Sequence, residues 1–123
     1  MTDTLITELT TPEARLALSE ALLALFHQWG IHELNQLELL GLQKSNQLQP
    51  GVPLPNDKTV LERAGQLLAI ERALHKVFPY QPSKRNAWIL TANPLLNNEK
   101  PITIMLEDLD GIKKVREHIE ALV

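Results

Sequence analysis

The run TVLERAGQLLAIERALHKVF at positions 59–78 holds an unbroken helical spacing of apolar residues, and it constrains the fold more than any other stretch. Val60, Ala64, Leu67, Ile70, Leu74 and Val77 recur at three- and four-residue steps and share one side of a 3.6-residue helix. Leu61, Leu68, Ala69, Ala73 and Phe78 widen that stripe, which is then broader than one partner helix covers. Segments on both sides of it in the chain are therefore expected to pack on this central helix. Thr59 followed by Glu62 reads as a capping box at its start, and Pro79 stops it. Glu62, Arg63, Gln66, Glu71, Arg72, His75 and Lys76 are left to face outward or toward a neighbouring element.

The 123 residues suit one domain or two small helical subdomains sharing a core. Apolar content of 44% is carried by leucine and alanine with only 4% aromatics, which favours helices packed on helices. The expected class is all-α, a compact multi-helix protein. Cysteine is absent, which excludes disulfides, a thiolate nucleophile and a sulfur-ligated zinc. A net charge of −3 gives no overall attraction to a phosphate backbone. No signal-peptide pattern and no run of roughly 18 apolar residues is present, so the expected place is the cytoplasm, away from membranes.

Residues 1–10 carry no capped periodic pattern and read as a flexible arm. Thr11, Pro12 and Glu13 form a helix start, Leu18, Leu22, Leu25 and Trp29 its apolar stripe, and Gly30 its end. Residues 31–40, with Leu34, Leu37 and Leu40 at three-residue steps, give a short second helix closed by Gly41. One or two helical turns follow at residues 42–48, and then the proline-rich connector QPGVPLPND, the one boundary between an N-terminal and a C-terminal part. Ser83 is expected to cap a helix through Leu90 that buries Ala87, Trp88 and Leu90. Asn93-Pro94 signals a turn. Residues 101–106 suit a strand or a short helix equally, and Asp108 caps a final helix lined by Leu109, Ile112, Val115, Ile119 and Leu122.

Catalytic chemistry finds little support. His27, His32, His75 and His118 read as surface or helix-end residues without an acidic or histidine partner at a ligand spacing. His32-Glu33 opens like the zinc-protease motif, but Gln36 stands where its second histidine belongs. The five glycines form no phosphate-cradling pattern, and Ser19, Ser45 and Ser83 fall in capping or surface contexts. The expectation is a non-enzymatic protein with no metal and no cofactor.

Two binding constellations remain. Helix, glycine turn and polar segment across residues 31–49 have the outline of a helix-turn-helix, whose second helix would offer Lys44, Ser45, Asn46, Gln47 and Gln49 to a major groove. Leu37 at a position that is usually small, Gln47 at a buried position and Pro50 cutting the helix short make it degenerate; a structural helical hairpin is the competing reading. Basic residues gather as Lys84-Arg85 and, on the last helix, as Lys113-Lys114-Arg116; such runs usually mean a solvated helix face, but each is adjacent to the irregular segment 91–101, where binding tends to sit.

The C-terminal half, residues 53–123, resembles the toxin-binding domain of Xre/MbcA/ParS-type bacterial antitoxins. The residues that carry the resemblance are Arg63, Leu67-Leu68, Ile70, Ala73-Leu74, Phe78, Trp88, Asn93-Pro94, Leu95-Leu96, Pro101, Leu106, Gly111, Val115 and Ile119. The resemblance implies an antitoxin of a type II toxin-antitoxin system that binds and occludes a RES-type, NAD-degrading toxin. It also implies an N-terminal helix-turn-helix, here residues 11–52, that represses the shared operon. The toxin-binding surface would comprise Lys84, Arg85, Trp88, Asn93, Pro94, Leu95, Leu96, Asn97, Lys100, Pro101, Lys113, Arg116, Leu122 and Val123. Partners would be the cognate toxin and operator DNA, in a homodimer or a hetero-oligomer with the toxin. A DNA-binding repressor and a non-enzymatic helical interaction module are the alternatives.

Overall fold

A computed structural model describes residues 10–123; residues 1–9, and with them nearly all of the expected arm, lie outside the described residues. Six α-helices follow in order: α1 Pro12–Trp29, α2 Glu33–Leu40, α3 Lys58–Val77, α4 Pro82–Ala87, α5 Pro101–Met105 and α6 Leu109–Glu120. Three 3-10 turns, Ser45–Gln47, Trp88–Leu90 and Pro94–Leu96, complete the regular structure, and no strand forms among the described residues. The all-α expectation holds.

The central helix is α3. Val60, Ala64, Leu67, Ile70, Ala73 and Leu74 are buried along it, and it packs most extensively on α6 while also meeting α1, α2 and α4. Its start differs from the expected capping box. Asp57 is the N-cap, and its Oδ1 accepts from the amides of Thr59 (2.8 Å) and Val60 (3.1 Å). A carboxylate satisfies two orphan amides here and also meets the positive helix end, so the helix begins ahead of Thr59.

Local signals place α1 well. Thr11 Oγ1 accepts from Ala14 N at 3.1 Å, Pro12 is the first helical residue, and Gly30 closes the helix at φ 69°. Ser19, expected in a capping or surface context, is instead fully buried on the inner face with Leu22, Leu25, Phe26 and Trp29. In α2, His32 is the N-cap through Nδ1, and Leu39 and Leu40 are the buried residues. Leu34, although it shares the three-residue spacing, is 64% exposed. Three-residue steps rotate by about 60° each, so Leu34 and Leu40 stand about 120° apart and one flat partner cannot cover both.

The connector is pinned to α1 rather than loose. Leu54 is fully buried, its amide donates to the Arg15 carbonyl (3.2 Å), and Arg15 Nη1 donates back to the Leu54 carbonyl (2.8 Å). One hydrophobic cluster runs from Leu22 through Leu54 to Ile119, with both halves of the chain contributing.

Downstream, α4 begins at Pro82 with Gln81 as N-cap, so Ser83 is not the cap. Proline is pre-set for the first helical position and starts the helix one residue earlier. Ala87 is exposed; Ile89, in the next 3-10 turn, is the buried residue. Residues 101–105 resolve as helix, and Asp108 caps α6 by accepting from Gly111 N at 2.7 Å. Ile112, Val115 and Ile119 are buried as expected, whereas Leu122 is exposed.

Candidate interaction surface on the 88–100 segment

The segment between α4 and α5 is short, irregular and internally bonded. Thr91 Oγ1 donates to the Ala87 carbonyl (2.7 Å), which ties the 3-10 turn Trp88–Leu90 to the end of α4. Asn93 then organises the tip. Its side-chain Oδ1 accepts from Leu95 N (2.9 Å), its carbonyl accepts from the amides of Leu96 and Asn98 (2.9 Å each), and its own amide donates to the Glu99 carbonyl (3.0 Å). Asn97 and Asn98, at φ 58° and 62°, reverse the chain. Asparagine is the side-chain-bearing residue that best tolerates this left-handed region, so the NN pair is local turn chemistry.

One contact seats this segment on α6, and a second brings the following helix, α5, onto α6. The Trp88 ring stacks on the His118 imidazole, centroids 6.2 Å apart and planes 18° from parallel. Gly111 lets α5 approach α6: a Cβ there would overlap the Ile104 carbonyl oxygen. Leu95 is 72% exposed. A shallow cleft of about 280 Å³ lies beside it, with Leu96, Ile104 and Val115 as apolar lining and Glu99, Glu107 and Lys114 among its polar residues.

The structure divides the residues expected at this surface. Lys84, Pro94, Asn97 and Lys100 are exposed, and Leu95, Leu96 and Asn97 share the cleft with α6. Pro101 is buried as the first residue of α5, so it supports the segment and cannot meet a partner directly. Arg85 is half-buried, with Nη1 donating to the Phe78 carbonyl at 2.9 Å, and so holds the α3–α4 corner. Lys113 faces Glu62 of α3 at 3.5 Å, and Arg116 donates to Gln66 (2.9 Å) and to Glu120 (2.8 Å). Lys113 and Arg116 therefore turn toward α3, and Lys114 is the cation beside Leu95. Leu122 and Val123 are exposed, with Val123 lining a second cleft between α3 and α6. Sequence reasoning read His118 as a surface or helix-end residue and did not pair it with Trp88. Leu90, expected on the buried side, is exposed, as is Tyr80 at 92%.

The polar segment after α2 forms a single 3-10 turn, Ser45–Gln47, where one or two helical turns were expected. Lys44, Ser45, Asn46 and Gln49 are exposed on it and around it, while Gln47 folds back so that Oε1 accepts from the amides of Gln43 and Lys44 (3.2 Å each). Three residues cannot lay a recognition face along a major groove. The histidine reading also needs one correction: His75 does have an acidic partner, Glu71, four residues earlier and 2.6 Å away. That Glu71 is fixed from its other oxygen by Trp29 Nε1 at 3.0 Å. Among the described residues no group of three or more histidine, aspartate or glutamate residues is disposed to hold a metal ion, and no helix is long and apolar enough to cross a membrane.

No protein-family model matches this sequence, and no curated protein matches it.

Proposed function

We propose that this chain is the antitoxin of a type II toxin-antitoxin pair and that it binds a RES-type, NAD-degrading toxin so as to cover the toxin's active-site cleft. The observation that carries the reading is the 88–100 segment. Its tip is held by hydrogen bonds of its own, its base is seated on α6 through Trp88 and His118, and it holds Leu95 out at 72% exposure beside a cleft lined by Leu96, Ile104 and Val115. A projecting apolar side chain next to an open cleft gives a partner both a knob to receive and a hole to fill. A pre-formed loop on a rigid helical scaffold loses little conformational freedom on docking. The identity of the partner rests on the resemblance of the ordered residues from Arg63 to Ile119. Gly111 supports that resemblance physically, because its place at the opening of the final helix coincides with a close backbone approach.

The decisive experiment expresses the product of the neighbouring gene, alone and together with this chain, and follows cellular NAD and co-purification. NAD should fall with that protein alone and recover when the two proteins co-purify. Leu95→Asp should weaken the complex while the far-UV circular dichroism and melting temperature stay put. Unchanged NAD and no co-purification in any combination would remove the proposal.

A further inference from the structure

On the opposite flank of α6, away from Leu95, a cleft of about 230 Å³ opens between α3 and α6. Ala69 and Ala73 line it along α3, and Arg72, Lys76 and Arg116 bring three positive charges to it. Small side chains there keep the space between the helices open. Glu120 is the one carboxylate side chain in the lining, and it is engaged by Arg116 Nε at 2.8 Å. Arg116 Nη1 also donates to Gln66 Oε1 at 2.9 Å, so its guanidinium is held from two sides before any ligand arrives.

Arg72 and Lys76 are different: neither makes an ion pair or a side-chain hydrogen bond among the described residues. They stand four apart on α3, where like charges are neighbours and repel by a few tenths of a kcal/mol. Lys76 gains something from the last turn of α3, whose carbonyl end favours a cation, but Arg72 lies a full turn earlier. A chain with net charge −3 has no general excess of cations that would place them here by crowding. Set against Glu120, the three cations leave the lining net positive. A phosphate group meets that excess, and its several oxygens suit the planar fork of an arginine and the point charge of a lysine together.

We propose that the α3–α6 cleft is an oxyanion site that takes the phosphate group of a small phosphorylated molecule, with Arg72 and Lys76 as its free donors and Arg116 as its pre-positioned one. The site is independent of the Leu95 surface and of the partner proposed for it.

The test is a titration of the isotope-labelled full chain with inorganic phosphate and with pyrophosphate, read by amide and arginine side-chain NMR shifts against sodium chloride at matched ionic strength. Saturable shifts at Ala69, Arg72, Ala73, Lys76 and Arg116 that chloride does not reproduce are expected, with pyrophosphate the tighter of the two. Arg72→Gln should weaken binding by about tenfold or more, the size expected for losing one charge-assisted contact. Arg72→Glu supplies the discriminating variant: it sets a carboxylate four residues before Lys76, a favourable pair, so melting temperature should hold or rise while phosphate binding disappears. Linear shifts that chloride matches, or saturable shifts that persist in Arg72→Glu, would overturn the assignment.

Discussion

Trp29 and Glu71, 42 residues apart in sequence, are joined by a hydrogen bond of 3.0 Å from the indole Nε1 to one carboxylate oxygen, while the other carboxylate oxygen lies 2.6 Å from His75 Nε2. The last turn of α1 is thereby fastened to the middle of α3 by a polar contact at the edge of the core. One carboxylate partners both the indole and the imidazole; removing it leaves the exposed imidazole to water but strands the buried indole N–H. Glu71→Ala should cost about 1–3 kcal/mol in urea unfolding, because the buried indole N–H loses its acceptor. Glu71→Gln keeps an acceptor for Trp29 and should cost less. Equal losses in the two variants would show that the indole contact contributes nothing.

Gly111 faces the Ile104 carbonyl so closely that no Cβ fits. Gly111→Ala must push α5 off α6, and the misfit involves backbone on one side, which cannot rotate away. A loss of at least about 2 kcal/mol is expected by chemical denaturation. The shift should reach Trp88 fluorescence as well, since α5 and the turn Trp88–Leu90 pack together. A fully stable Gly111→Ala protein would mean that the two helices sit farther apart than described.

Two leucines make a controlled comparison. Leu74 is fully buried near the C-terminal end of α3, and Leu34 is 64% exposed on α2. Leu74→Asp places an unpaired charge in the core near the C-terminal end of α3 at a cost of several kcal/mol, on the scale of the whole stability of a small domain, and should abolish cooperative melting. Leu34→Asp should stay within about 0.5 kcal/mol of the parent. Similar behaviour of the two variants would contradict the α2 orientation.

Asn97 and Asn98 hold positive φ at the tip beside Leu95. Asn97→Gly should be neutral or stabilising, whereas Asn97→Val should cost about 1–2 kcal/mol, since a branched Cβ crowds the following carbonyl in this region. If the tip is the docking element, Asn97→Val should also slow association with the toxin more than Asn97→Gly does. An Asn97→Val protein with parental stability and parental association would separate the turn from both roles.

What the sequence by itself determined was local. Thr11, Pro12 and Gly30 bound α1, Asp108 caps α6, and the spacing of Val60, Ala64, Leu67, Ile70 and Leu74 gives α3 its inner face. These signals act between residues within one or two helical turns, through amide satisfaction, backbone sterics and side-chain periodicity, and so they are written in adjacent letters. Even there neighbours competed, and Asp57 displaced Thr59 as cap because a carboxylate two residues earlier reaches the first free amides of the helix. Tertiary structure alone decided which of several equivalent residues lies where. It buried Leu54 and Ser19 and left Leu34 outside, buried Pro101, and turned Lys113 and Arg116 toward α3 so that Lys114 is the cation beside Leu95. It also set Arg72 and Lys76 against Arg116 across a cleft. Each of those outcomes depends on the angle and distance between helices far apart in the chain, and no short-range pattern encodes that geometry.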